Sequence, residues 1–112
     1  MKMRLLFVPL ALLAAMLLPA TGFADDWESL FDGKTLKNWD GNPDFWLVED
    51  GCITGQTTPE NPTKGNTFLI YRGAEVGEFE LTLDYKIVGG NSGIRYRSFE
   101  VPDNKWVIGG YQ

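Results

Sequence analysis

The chain has 112 residues, with 10 Lys+Arg against 15 Asp+Glu, one cysteine and no histidine. The acidic balance argues against nucleic acid or anionic lipid as a partner. The lack of histidine excludes a Ser-His-Asp arrangement or a His-ligated metal within these residues. Acid–base chemistry is left to Asp, Glu, Lys or Tyr, and a lone cysteine allows no internal disulfide.

The first 24 residues read as a secretory signal. Lys2 and Arg4 form a short basic start, Leu5–Leu18 is an apolar run, and Gly22-Phe23-Ala24 offers small residues for cleavage after Ala24. The run is shorter than the roughly 20 residues of a membrane-spanning helix, and no cysteine follows it to carry a lipid. The expectation is export to the periplasm or the exterior, with no stable membrane anchor. Cleavage leaves 25–112 as the domain. Loss of Lys2 and Arg4 takes Lys+Arg from 10 to 8 against 15 Asp+Glu, net −7.

Beyond residue 24 no helix-period segment stands out, and short β-like runs alternate with turn residues. Trp27–Phe31 leads through the turn Asp32-Gly33-Lys34 to Leu36–Trp39, and Asn42-Pro43-Asp44 turns again. Phe45–Glu49 and Cys52–Gly55, joined by Asp50-Gly51, read as a small hairpin. Cys52 is expected to be packed, as free cysteines usually are. Gln56–Asn66, with Pro59 and Pro62, is a loop, and Thr67–Tyr71 is a strand.

From Phe79 to Ile87 every odd position is apolar, while Glu80, Thr82, Asp84 and Lys86 are polar. Such period-two alternation marks a strand with one face on a core. Gly89-Gly90 supplies the positive φ of a reversal. Asn91–Arg97 alternates again as the return strand. This predicts a hairpin whose charged face gathers Glu80, Asp84, Lys86, Arg95 and Arg97, with Asp84 opposite Arg95 and Thr82 opposite Arg97 if the turn has two residues. Val101–Lys105 is a loop, and Trp106–Gln112 opens a further strand. The fold expected is all-β, an antiparallel β-sandwich or jelly roll. The last strand has no closing turn, so the chain is expected to be the front part of a longer domain, incomplete at its C-terminus; a complete small sandwich is the alternative.

The ordered blocks WESLFDGKTLKNW, FWLVEDGCITGQ, GEFELTLDYKI, GGNSGIRYRS and VIGGYQ resemble the 3-keto-disaccharide hydrolase domain family. The resemblance covers Trp27–Gln112. It implies a concanavalin A-like fold and hydrolysis of a 3-keto-glycoside. A carbonyl at C3 of a sugar acidifies the proton on C2, so removal of that proton, expulsion of the glycosidic oxygen and hydration replace the opposed carboxylates of an ordinary glycosidase. No cofactor is evident, although a divalent metal could serve in place of a cationic side chain as enolate stabiliser.

On this resemblance Asp84 is the candidate base and Arg97, the arginine after NSGI, the candidate clamp or enolate stabiliser. A cross-strand ion pair of Asp84 with Arg95 or Arg97, or of Arg97 with Glu80, is the structural alternative. Asn91 and Ser92 at the turn, Arg95, Trp106 and Gln112 are candidate substrate-binding residues, with turn chemistry and a solvated surface as the plain readings. Trp27, Trp39 and Trp46 are expected in the core, and Trp106 is the best sugar-stacking candidate. The rival class is a non-catalytic, lectin-like carbohydrate-binding module, and a third reading is an inactive fragment.

Overall fold

The computed structural model describes residues 3–7 and 26–112; the rest of the expected signal lies outside the described residues. Nine β-strands and no helix occur among them: β1 (Met3–Phe7), β2 (Trp27–Ser29), β3 (Trp39–Gly41), β4 (Trp46–Glu49), β5 (Cys52–Gly55), β6 (Leu69–Tyr71), β7 (Phe79–Leu83), β8 (Tyr96–Glu100) and β9 (Ile108–Tyr111). The fold is all-β and every ladder is antiparallel. The strands form a three-stranded sheet in the order β2-β1-β7 and three two-stranded sheets, β3-β6, β4-β5 and β8-β9. No helix among the described residues is long and apolar enough to cross a membrane.

The β4–β5 hairpin follows from two residues. Asp50 and Gly51 both adopt left-handed backbone, φ 49° and 71°, so the turn curls with the right-handed twist of the strands. The ladder closes directly on it, Glu49 opposite Cys52 and Trp46 opposite Gly55. Cys52 is exposed at the start of β5. That corrects the expectation of a packed thiol: strand alternation turns Ile53 inward and leaves Cys52 on the wet side.

Trp46 builds the local core. A Cβ at Gly41 would lie 3.1 Å from its indole and one at Gly55 2.8 Å from it, so the two glycines make the room that the ring fills. The indole N–H donates to Thr67 Oγ1 at 3.1 Å. Trp39 stands opposite Tyr71 in the β3–β6 ladder, with ring centroids 5.0 Å apart, and its indole N–H donates to the Leu30 carbonyl at 2.8 Å. Both tryptophans take the structural role expected of them, with their polar handles satisfied.

The Asp32-Gly33-Lys34 turn is held by one carboxylate. Asp32 Oδ1 accepts the N–H groups of Lys34 and Thr35 at 2.8 and 2.7 Å, and Oδ2 accepts the Thr35 hydroxyl at 2.6 Å. These bonds, the Thr35 hydroxyl first, hold the carboxyl down from 3.8 to about 2. A carboxyl depressed in the folded state stabilises it above the unfolded pKa, and that contribution disappears as pH falls through the folded one. An NMR titration of Asp32 should show a midpoint near 2; a midpoint at the ordinary carboxylate value would mean that the turn does not form.

The expected Phe79–Arg97 hairpin is not made. Gly89 and Gly90 do adopt positive φ, 76° and 74°, but the strand ends at Leu83 and pairs with β1, while β8 starts only at Tyr96 and pairs with β9. Tyr85, Ile87 and Val88 are left exposed between them. Asp84 therefore does not stand opposite Arg95, nor Thr82 opposite Arg97.

Candidate functional site

The sequence candidates divide into three groups in space. The first surrounds the β8–β9 ladder. Tyr96 pairs with Tyr111 across it, the rings near-parallel at 24° with centroids 6.0 Å apart. The register then shifts between Tyr96 and Phe99, and Arg97 sits in that bulge with φ 49°. A bulge re-aims the side chain it carries, and the left-handed region is uncommon for an arginine. Gly110 lies across from the bulge at φ 140°. A Cβ there would lie 2.8 Å from the Ser98 Cα, so only glycine lets the two backbones approach this closely.

Gln112 folds back onto the Asn91-Ser92-Gly93 corner, where a Cβ on Gly93 would collide with its amide. Arg95 joins the same group: Nη1 donates to the Gly110 carbonyl at 3.3 Å, and the guanidinium lies 5.3 Å from the centre of the Phe68 ring. Arg95, Gln112 and the Asn91–Gly93 corner are thus brought together around the end of β9. Beside them a cavity of about 360 Å³ opens between β7 and the approach to β8, lined by Phe79, Leu81, Ile94, Arg95 and Tyr96. Its lining is apolar apart from Arg95.

The second group is Asp84 alone. It follows the last residue of β7, is exposed, and makes no side-chain hydrogen bond or ion pair among the described residues. Arg97 likewise makes none among them. The Asp84–Arg97 and Asp84–Arg95 ion pairs weighed as structural alternatives are absent there, so both charges are uncommitted.

Trp106 belongs to the third group, which sequence reasoning missed. Its indole N–H donates to Asp40 Oδ1 at 2.6 Å, and the Lys105 ammonium lies 4.1 Å from the ring centre. Arg72, just past β6, reaches Asp40 Oδ2 at 3.0 Å and the Glu100 carboxylate at 2.7 and 2.9 Å. The indole bond to Asp40 and then Arg72 hold the Asp40 carboxyl below the usual carboxylate range. Arg72 does the same to Glu100, and Glu100 and then Asp40 raise the pKa of the guanidinium further. Arg72 has its fork satisfied on both sides by carboxylates, the geometry to which a guanidinium is pre-shaped. The cluster joins the β3–β6 sheet to the β8–β9 sheet. With its N–H engaged and a cation over the ring, Trp106 is anchored from two sides.

Asp32, Asp40 and Glu100 are carboxylates spent on structure; Asp84 is free of such duties. No three His, Cys, Asp or Glu side chains converge to hold a metal among the described residues. The partners of Arg72 lie 32 and 28 residues away in sequence, and no local pattern points to them.

Comparison with known proteins adds three findings. The sequence profile of the 3-keto-alpha-glucoside-1,2-lyase-like domain matches residues 26–112. A 3-keto-disaccharide hydrolase from Bacteroides thetaiotaomicron is 35% identical over an 88-residue alignment that covers 70% of this chain and 29% of that protein. The chain thus spans under a third of the length of that curated relative. No solved structure matches.

Proposed function

The chain belongs to the 3-keto-alpha-glucoside-1,2-lyase-like domain family, and on that premise we propose that it is part of an exported enzyme cleaving the glycosidic bond of 3-keto-disaccharides. The observation that carries the reading is the family match across 26–112, which takes in every candidate residue. The lyase and hydrolase names describe successive stages of one route. A base takes the C2 proton, and the electrons of that bond become the enolate of the C3 ketone. The enolate collapses back to the ketone, C1=C2 forms, and the C1–oxygen bond breaks with its electron pair on the leaving oxygen, which takes a proton from solvent water and departs as the alcohol. A lyase stops at that enone. A hydrolase goes on to add water, hydroxyl to C1 and proton to C2.

In this proposal Asp84 is the base, since its carboxylate is uncommitted among the described residues, and Arg97 stabilises the enolate oxygen. Charge placed where charge develops is the largest lever such a site has. Asn91, Ser92, Arg95 and Gln112 bind substrate hydroxyls around the β9 end, and Trp106 offers a further contact. Export follows from the basic start, apolar run and small-residue cleavage site at the N-terminus.

The exposed Tyr96–Tyr111 pair favours a second reading, a lectin-like module that binds sugar and leaves it intact, because flat aromatic pairs suit the carbon face of a pyranose. One assay separates the two. The purified protein is incubated with a 3-keto disaccharide and with its unoxidised parent, and monosaccharide release is followed by chromatography. Release from the keto sugar alone is the expected result. Binding of both sugars without release would replace the enzyme reading with the lectin one.

A further inference from the structure

β2 and β7 do not pair with each other; each is hydrogen-bonded to one edge of β1. We infer that β2 and β7 form a strand-acceptor slot and that its occupant is the chain's own Met3–Phe7 segment. The register supports a specific fit rather than a chance contact. Met3, Leu5 and Phe7 stand opposite Leu83, Leu81 and Phe79 in the register, while Arg4 and Leu6 stand opposite Thr82 and Glu80. On the other edge Leu5 pairs with Glu28 and Leu6 with Trp27. The Leu30 N–H extends the bonding by donating to the Met3 carbonyl at 2.9 Å. Met3 is 4% exposed and Phe31 6%; they are the two buried hydrophobic side chains among the described residues.

This gives the N-terminal segment a second role. A strand between two others satisfies backbone groups on both its edges, so withdrawing it strips β2 and β7 of every ladder bond that the described residues give them. Cleavage after Ala24 and release of the segment would do that: the uncleaved chain carries the three-stranded sheet β2-β1-β7, and the processed chain leaves β2 and β7 each without a ladder partner among the described residues. Open edges of this kind accept an extended strand by main-chain pairing, with side-chain alternation setting the register.

The direct test is NMR on the unaltered full-length chain. Inter-strand nuclear Overhauser contacts are expected from residue 5 to both residue 28 and residue 81, and their absence overturns the inference. Hydrogen exchange gives a second reading. Leu5→Pro removes a ladder donor, so amide protection in Trp27–Ser29 and Phe79–Leu83 should fall roughly tenfold or more. Protection in Cys52–Gly55 should hold, and excess synthetic peptide of residues 1–8 should restore the lost protection. Equal protection of Phe79–Leu83 in the variant and the parent overturns the proposal. If the variant loses all protection, the contacts in the unaltered chain decide.

Discussion

On the proposed mechanism, Asp84→Asn is expected to lower kcat on a 3-keto disaccharide by about 10²–10⁴-fold, the usual range for removing a general base, and to leave the fold intact. The asparagine keeps the shape and cannot take a proton. Because the Asp84 side chain makes no bond among the described residues, the substitution should shift stability by less than ~0.5 kcal/mol. The pairing of these two outcomes is what gives the experiment its force. A residue that only braced the sheet would lose stability and activity together. Steady-state kinetics and a urea titration on the same preparation check both, and a variant that turns over at the parental rate removes Asp84 from the chemistry.

The second large effect is structural. Trp46→Ala will destabilise the domain by about 3 kcal/mol, the lower end for truncating a large aromatic because the ring is half-buried. Much of the loss comes from the space between Gly41 and Gly55, which nothing else fills. Gly55→Ala should also destabilise, because its Cβ would lie 2.8 Å from the ring and overpacking strains a site as a void does. Combined, the two changes should cost clearly less than their sum, since alanine at 55 has room once the indole is gone. Additive losses in denaturant titrations would show that ring and glycine do not share the site.

The β4–β5 hairpin was legible in the sequence because Asp-Gly between two apolar runs fixes turn type, length and register together. The Phe79–Leu83 strand was legible too, but its partner was not. Alternation specifies which face a strand buries and leaves open the edge along which it pairs. The partner is Met3–Phe7, part of the segment expected to be a signal, which keeps it out of any fold argument from sequence. Gly89 and Gly90 adopt the expected positive φ, yet they form a bend rather than a hydrogen-bonded turn, and the segments on either side pair elsewhere.

At the candidate site, Gln112 reaches the corner at Gly93 and Arg95 reaches the Gly110 carbonyl. The Arg97 backbone could not be anticipated, because a bulge depends on the opposing strand and on the freedom of Gly110. Nor could Cys52 be assigned by residue type, since the hairpin register outweighs the general preference of thiols for the interior. The Arg72 cluster left no trace in any window, its members being brought together by tertiary folding alone.

The way Arg72 joins the sheets has a mechanical consequence. Within each sheet the strands are tied by backbone ladders that dissolved ions hardly affect. At this junction the β3–β6 and β8–β9 sheets are tied by exposed charges, with side-chain exposures of 42% for Arg72 and 39% and 58% for Asp40 and Glu100. Such contacts soften as ionic strength rises and the screening length contracts from about 10 Å at 0.1 M to about 3 Å at 1 M. The junction should therefore weaken as salt is added while the sheets it joins keep their ladders, and Trp106, bonded to Asp40, shares in that sensitivity.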